Sequence, residues 1–241
     1  MTTSARRTFV LVHGAWHGGW CWRDVGDALR AEGHRVFTPT LTGLGERTHL
    51  LSAETDLMQH VDDVVQVLEF EELDEVVLVG HSYAGPVITG VADRVAGRLS
   101  RLVYLDAAVY DDGEALVDVL PAQMTADRRA EVIDVDGVLC SPTPTAARFG
   151  VDDPGKAAWV ERHLVPQPLA CSTRKLELAN PVANGLPADY IVCTVGLYAH
   201  FESSRQKARA CGFSMHEIAT GHDAMVTMPA DLTAMLMDIA R

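Results

Sequence analysis

A serine stands at the apex of a predicted strand–turn–helix near the middle of the chain. Residues 76–85 read VVLVGHSYAG, and a helical segment follows them. Such a turn strains the serine backbone and requires small neighbours two residues away on each side, here Gly80 and Ala84. Glycine is usual at the second position, so Ala84 departs from the pattern, although Gly85 comes next. We predict that Ser82 is a nucleophile; the alternative is an incidental serine in a structural turn.

A serine hydroxyl becomes an effective nucleophile when a base accepts its proton. In enzymes with this turn the base is a late histidine, and the chain order is Ser, acid, His. His222 holds that place, between a predicted strand at 213–218 and a helix that begins at Pro229. We therefore predict that His222 is the general base.

Two backbone N–H groups are expected to bind the oxyanion. One belongs to Tyr83, directly after the nucleophile, and the other to Ala15, in the loop after the strand 9–12. His13 and His17 in this loop have the spacing of a metal pair on a helix. No helix is predicted there, so we expect no metal site.

The acid that orients the base departs from the usual pattern. It normally follows the strand 190–193, but residues 194–201 contain no carboxylate. Asp106, at the end of the strand 102–105, is the favoured acid, although it could simply cap a turn. Glu202 is the alternative, and a third possibility leaves His222 without an acid partner, which would slow it because the acid fixes the tautomer and orientation of the ring.

Several aromatic side chains are candidates to line a substrate pocket. We expect Trp16 and Trp159 to contact an apolar or aromatic acyl group, with Trp20 and Tyr83 as further candidates. Core packing is the alternative for each of them.

The elements that must position these residues alternate along the chain. Buried parallel strands are predicted at 9–12, 76–79, 102–105 and 190–193, with weaker candidates at 35–37 and 213–218. An amphipathic helix between them carries Leu57, Val61, Val64 and Leu68 on one face. The pattern predicts an α/β fold with a mainly parallel central sheet flanked by helices, in a single domain of residues 1–241.

The alternation lapses between about residues 109 and 187, a stretch that contains seven prolines before Pro187 and short helical pieces such as 157–164. A structureless loop of that length is unusual inside a compact domain. We expect an inserted lid over the active site.

Charge and composition exclude several classes of partner. Twenty Lys and Arg oppose 33 Asp and Glu, a net charge of −13, which repels nucleic acid, anionic membranes and polyanionic substrates. The five cysteines are scattered, with no C-x-x-C pair, so neither a disulfide framework nor a zinc site is expected. Without a signal-like or membrane-length apolar segment, the chain is expected to be cytoplasmic.

Four segments together resemble a known family: VHGAWHGGWCW near the start, LTGLGER at 41–47, GHSYAG around Ser82 and GHDAMV around His222. They are similar to the plant methylesterase and hydroxynitrile lyase group of the α/β-hydrolase superfamily and its bacterial esterase relatives. The resemblance implies an α/β-hydrolase fold, cofactor-free acyl chemistry, a hydrophobic pocket beneath a lid and, in many members, a homodimer. Lyase activity in that group depends on a lysine directly after the catalytic histidine and a threonine in the oxyanion loop. Asp223 and Gly14 stand there instead and disfavour it.

These residues predict a carboxylesterase-type serine hydrolase that cleaves a small hydrophobic or aromatic ester through an acyl-enzyme on Ser82. Two alternatives stay open. A lyase or polyketide-tailoring cyclase could use Ser82 and His222 as acid and base, and a small-molecule-binding protein could retain the machinery as a vestige. The unusual place of the acid bears on the second alternative.

Overall fold

The structure, a computed structural model, describes residues 6–120, 122–196, 198 and 201–241. Its strands are β1 (Thr8–Val12), β2 (Arg35–Phe37), β3 (Val76–His81), β4 (Leu99–Leu105), β5 (Ile133–Val135), β6 (Val138–Ser141), β7 (Gln167–Pro168), β8 (Ala188–Cys193) and β9 (Ser214–Ile218). Its helices are α1 (Arg23–Ala31), α2 (Leu57–Phe70), α3 (Ala84–Val95), α4 (Leu116–Val119), α5 (Ala122–Ala130), α6 (Pro154–Glu161), α7 (Ala170–Thr173), α8 (Glu202–Ala210), α9 (Ala224–Thr227) and α10 (Pro229–Ile239).

Six strands form a parallel sheet in the order β2-β1-β3-β4-β8-β9. Helices cover both of its faces, which confirms the predicted α/β fold. The carboxyl ends of parallel strands meet at one edge of the sheet, and ligands in open α/β sheets bind outside that edge. The loops after β1, β3, β4 and β9 therefore converge there, and they carry the predicted site residues.

The two faces of the sheet pack into separate apolar layers. Val10 and Val12 of β1 belong to the layer under α2, α3 and α8, whereas Phe9 and Leu11 belong to the layer under α1 and α10. Successive side chains of a strand point to opposite faces, so a strand buried on both faces is apolar throughout. This explains the continuous hydrophobic runs in the sequence. Among the described helices, none combines the length and the apolar character needed to cross a lipid bilayer.

Residues 109–187, here called the inserted segment, connect β4 to β8. Its described residues form four short α-helices, α4 to α7, and an antiparallel sheet of three strands in the order β5-β6-β7. Sequence analysis found the helix at Pro154–Glu161 in part but missed this sheet. Its strands are two to four residues long, too short for a period-2 pattern to identify them.

Candidate active site

Ser82 lies in a strained turn between β3 and α3. Its φ angle is +55°, a left-handed conformation that costs a non-glycine residue about 1–2 kcal/mol. Its N–H donates to the carbonyl of Leu105 at 3.1 Å, and its own carbonyl accepts from Gly85 at 3.2 Å and Ala108 at 3.0 Å. These bonds to the ends of neighbouring elements hold the serine at the carboxyl edge of the sheet.

The departure from glycine at position 84 has a structural explanation in Gly85. A Cβ on Gly85 would lie 1.9 Å from the carbonyl oxygen of Ala108, closer than any side chain tolerates. Position 85 therefore requires glycine, because the start of α3 packs directly on the backbone after β4. Ala84 is fully buried in the core and is accommodated there.

His222 and Asp106 form a buried hydrogen bond. The Nδ1 atom of His222 lies 2.7 Å from Oδ2 of Asp106, and the two side chains are 4% and 1% exposed. Asp106 follows β4 with a φ of +40°, and its N–H donates to Ile191 at 2.8 Å. Because Nδ1 is engaged, Nε2 is the ring nitrogen left for the cavity that His222 and Ser82 both line.

Glu202, the alternative acid, lies at the start of α8. Its side chain is 52% exposed and accepts hydrogen bonds from Arg205 at 2.9 Å and Gln206 at 3.2 Å. Arg205 Nη1 in turn lies 4.0 Å from Oδ1 of Asp106. Glu202 thus contacts the arginine beside Asp106, and the contact with the His222 ring is made by Asp106.

The loop that carries Ala15 packs directly against Ser82. A Cβ on Gly14 would lie 2.8 Å from His81 Nδ1 and 3.0 Å from Ser82 Cβ, so only glycine allows this approach. His13 holds the loop, since its Nδ1–H donates to the carbonyl of Gly14 at 2.8 Å and its Nε2 accepts from Leu41 N–H at 3.0 Å. Burial lowers the pKa of His13 to about 3, so the ring is neutral, as this pair of bonds requires.

Tyr83, whose N–H is the second predicted oxyanion donor, is anchored through its side chain. Its hydroxyl donates to Nδ1 of His60 at 2.9 Å, because His60 Nε2–H donates to the carbonyl of Thr42 at 2.9 Å. Burial of the His60 ring lowers its pKa. The neutral ring therefore connects α2 to the residue that follows the nucleophile.

A buried ion pair lies beside the base. Both ring nitrogens of His17 face acceptors, the carbonyl of Ala15 at 2.7 Å and Oδ2 of Asp223 at 3.0 Å. Burial acts to lower the pKa of His17, but the Asp223 charge and hydrogen bond outweigh it and the pKa is raised. The pair joins the Ala15 loop to the residue after His222. His81 Nε2–H completes the link by donating to the carbonyl of His222 at 3.1 Å.

A partly enclosed cavity with a free space of about 50 Å³ is lined by five of the predicted residues, Ala15, Trp16, Ser82, Tyr83 and His222. Its described lining residues are Ala15, Trp16, Ser82, Tyr83, Ala108, Tyr110, Leu116, Ser141, Arg148, Phe149, Gln167, Ser172, Tyr198, Phe201 and His222. Most of these side chains are apolar or aromatic, and the inserted segment supplies many of them. This wall is what a small apolar substrate requires.

Trp159 is a correction to the expected pocket. It is not among the described residues that line the cavity, and it packs instead edge-on against Trp20 with ring centroids 5.0 Å apart, under the Arg23 guanidinium. Both tryptophans belong to the layer under α1 and α10. The two rings contribute to packing there, whereas Trp16 does line the cavity.

Sequence reasoning missed several residues that contact the site. His60 lies on the apolar face of α2 beside Val61 and Val64, and a histidine within an apolar stripe could have identified it. Gln167, between two prolines, and Asp223, whose partner lies 206 residues away, carry no local signal.

Comparison with known proteins places this geometry in a family. Residues 9–235 match the family model described as "Alpha/beta hydrolase family". The chain belongs to the alpha/beta hydrolase family.

This alpha/beta hydrolase is similar to several esterases. It is 43% identical over 237 residues to a carbendazim hydrolyzing esterase of Nocardioides sp. (strain SG-4G), an alignment that covers 95% of this chain and 97% of the relative. It is 28% identical to methylesterase 3 of Arabidopsis thaliana, over 96% of this chain and 95% of that protein. The chain is an enzyme of the esterase type.

A solved structure shares the whole architecture of this alpha/beta hydrolase. The extracellular alpha/beta-hydrolase from a Paenibacillus species, described as a structural and functional homologue of tobacco salicylic acid binding protein 2, superposes with a TM-score of 0.81. The two sequences are 25% identical, and the match covers 97% of this chain and 98% of the other.

Proposed function

We propose that this esterase is a serine hydrolase in which Ser82 is the nucleophile, His222 the general base and Asp106 the acid that orients it. One observation carries the proposal: His222 Nδ1 lies 2.7 Å from a buried Asp106 oxygen, at a cavity that Ser82 and His222 both line. A histidine held in this way presents its second nitrogen to the serine hydroxyl.

The reaction proceeds by acyl transfer. Ser82 Oγ attacks the ester carbonyl while His222 Nε2 accepts its proton, and the carboxylate of Asp106 stabilises the imidazolium that forms. The N–H groups of Ala15 and Tyr83 bind the oxyanion. His222 then gives the proton to the leaving alcohol, and a water molecule activated by the same histidine releases the acid from Ser82.

The inserted segment acts as a lid in this proposal, and the chain forms one domain. Residues of the inserted segment, among them Phe149, supply part of the wall of the cavity that Ser82 lines. The N–H of Asp223 donates to the carbonyl of Phe149 at 3.1 Å. Closing this wall excludes water and strengthens electrostatic interactions at the carbonyl. The apolar lining supports small hydrophobic or aromatic esters as substrates, and the resemblance to a carbendazim hydrolyzing esterase adds carbendazim as a candidate.

Active-site labelling with a fluorophosphonate probe, combined with a panel of p-nitrophenyl esters, aromatic methyl esters and carbendazim, tests the proposal. The wild type should be labelled and should cleave members of the panel. Ser82→Ala should abolish labelling and lower kcat by at least about 10³-fold. Ser214→Ala, an exposed serine at the start of β9, is the matched control and should retain both properties.

The outcomes separate the competing functions. A wild type that is neither labelled nor active on any ester would favour a small-molecule-binding protein. Ester turnover that survives Ser82→Ala at more than about a tenth of wild-type kcat would refute the nucleophile.

A further inference from the structure

Gln167 on β7 presents a buried amide to the cavity. The residue is 2% exposed and lines the cavity together with Ser82. Its Oε1 accepts a hydrogen bond from Trp16 N–H at 2.9 Å. A backbone N–H can only donate, so this bond identifies the oxygen end of the amide and leaves the NH2 end on the other side. That nitrogen, Nε2, is buried and has no nitrogen or oxygen atom as hydrogen-bond partner among the described residues.

A buried donor without a strong acceptor is costly, and such groups in native proteins require an explanation. The thiol of Cys171 makes a side-chain hydrogen bond with this amide, but sulfur is a weak acceptor. An amide NH2 group carries two hydrogens, so at least one stays available even if the thiol engages the other.

Three other residues of the inserted segment add donors to the cavity wall. Ser141, the cross-strand partner of Gln167, and Ser172 both line the cavity, and so does Arg148, whose guanidinium lies over the Trp16 ring. None of the described lining residues is Asp or Glu. The polar part of the wall around Gln167 therefore offers donors and no carboxylate.

We propose that Gln167 Nε2 donates a hydrogen bond to an acceptor on the acyl group of the substrate, and that the preferred substrates are esters of heteroaromatic acids with a ring nitrogen close to the ester. The inference rests on the proposed esterase reaction. Gln167 is hydrogen-bonded to Trp16, the neighbour of the predicted oxyanion donor Ala15, and Gln167, Ala15 and Ser82 line the same cavity. A ring nitrogen is an acceptor without a hydrogen of its own, which suits a wall of donors.

The size of the cavity fits this assignment. Its free space is about 50 Å³, and the inserted segment that carries Gln167 supplies much of the wall around it. The amide then meets the substrate acceptor at a place from which water has been excluded, where hydrogen bonds discriminate best between ligands.

Methyl picolinate, methyl nicotinate and methyl isonicotinate, compared with methyl benzoate, test the proposal, because these four esters differ only in whether and where the ring carries nitrogen. Each kcat/KM is divided by the alkaline hydrolysis rate of the same ester, which removes intrinsic reactivity. For methyl picolinate, whose ring nitrogen is closest to the ester, the wild-type preference over methyl benzoate should fall by about threefold to tenfold in Gln167→Met, as expected for one lost hydrogen bond. Gln167→Glu at pH 8 should lower the same preference, and that variant keeps an oxygen that can accept from Trp16 N–H.

The ratio between esters makes the test independent of any loss common to all substrates, including a loss caused by movement of Trp16. Gln66→Glu, on an exposed position of α2, is the matched charge control and should leave all ratios unchanged. An equal methyl picolinate to methyl benzoate ratio in the wild type and Gln167→Met would overturn the role of Gln167, and a loss confined to methyl isonicotinate would overturn the position assigned to the ring nitrogen. A wild type that cleaves none of the four esters, and also fails the fluorophosphonate test, would overturn the esterase reaction instead.

Discussion

Replacing Asp106 with asparagine removes the negative charge beside His222 and leaves the size of the side chain nearly unchanged. The Oδ2 atom that lies 2.7 Å from His222 Nδ1 becomes either a neutral oxygen or an NH2 group. If the NH2 group takes that place, it donates to Nδ1 and forces the ring proton onto Nε2. His222 would then have no lone pair to accept the proton of Ser82.

The size of the loss follows from the distance. Two unit charges 2.7 Å apart interact by about 6 kcal/mol at an effective dielectric constant of about 20. Each 1.36 kcal/mol of transition-state stabilisation is a factor of ten in rate, so the charge of Asp106 is worth about 10⁴-fold in kcat. This agrees with the loss of about 10⁴-fold for the same change in a serine protease.

The assay is steady-state hydrolysis of the best ester in the panel, with the unfolding temperature measured in parallel. Asp106→Asn should lower kcat by about 10⁴-fold with a smaller change in KM, because the carboxylate acts on the transition state. Glu202→Gln is the matched control, and its loss should stay within about threefold because the Glu202 side chain is 52% exposed. The opposite ranking would assign the acid to Glu202. Losses below tenfold in both variants would mean that His222 works without a carboxylate partner.

Three further predictions concern packing and charge around the site. Gly85→Ala should destabilise the fold by about 1–3 kcal/mol and lower kcat, because the new Cβ would lie 1.9 Å from a backbone carbonyl oxygen. Gly97→Ala is the control: a Cβ there meets open space, so the unfolding temperature should not change. Removing either member of the His17–Asp223 pair should cost about 3–5 kcal/mol, and the double variant should cost less than the sum in a double-mutant cycle. The pKa of His13 is lowered to about 3, so the free energy of unfolding should be highest above pH 6.5 and should fall by about 2 kcal/mol on acidification to pH 5. His13→Gln should reduce this fall when unfolding is measured as a function of pH.

Each of these predictions has a clear contrary result. Equal unfolding temperatures and activities for the two glycine variants would show that the close approach at position 85 is absent in solution. Additive losses at His17 and Asp223 would mean that the two side chains do not interact. A pH dependence of unfolding that is identical in the wild type and His13→Gln would contradict the neutral, buried state of His13.

The four inner strands of the central sheet could be predicted because they are buried on both faces. The runs at 9–12, 76–79, 102–105 and 190–193 lie within strands of the structure, since a strand that contacts two apolar layers is apolar throughout. The sheet of the inserted segment could not be predicted in the same way. Its strands gain their conformation from pairing with one another and with the loop at Trp16, contacts that a local pattern does not record.

The residues of the candidate site also fall into those that local sequence context predicts and those that depend on distant contacts. The positions of Ser82 and His222 follow from local context, a strand–turn–helix and a late loop. Asp106 is favoured because the usual position lacks a carboxylate and because it ends the neighbouring strand, but its contact with His222 spans 116 residues. The pair of His17 with Asp223 had no signal at all, because a buried ion pair depends on the three-dimensional meeting of two distant loops.

Trp16 joins the inserted segment to the oxyanion loop. Its N–H donates to Gln167 at 2.9 Å, and its carbonyl accepts from Val165 N–H at 3.0 Å. The segment is therefore not a module that can be exchanged between relatives to transfer specificity. A grafted segment that lacks these two bonds would release a residue held at a φ of +66° and displace the neighbouring Ala15 N–H. Engineering of substrate range in this enzyme has to retain both bonds, or turnover will fall together with selectivity.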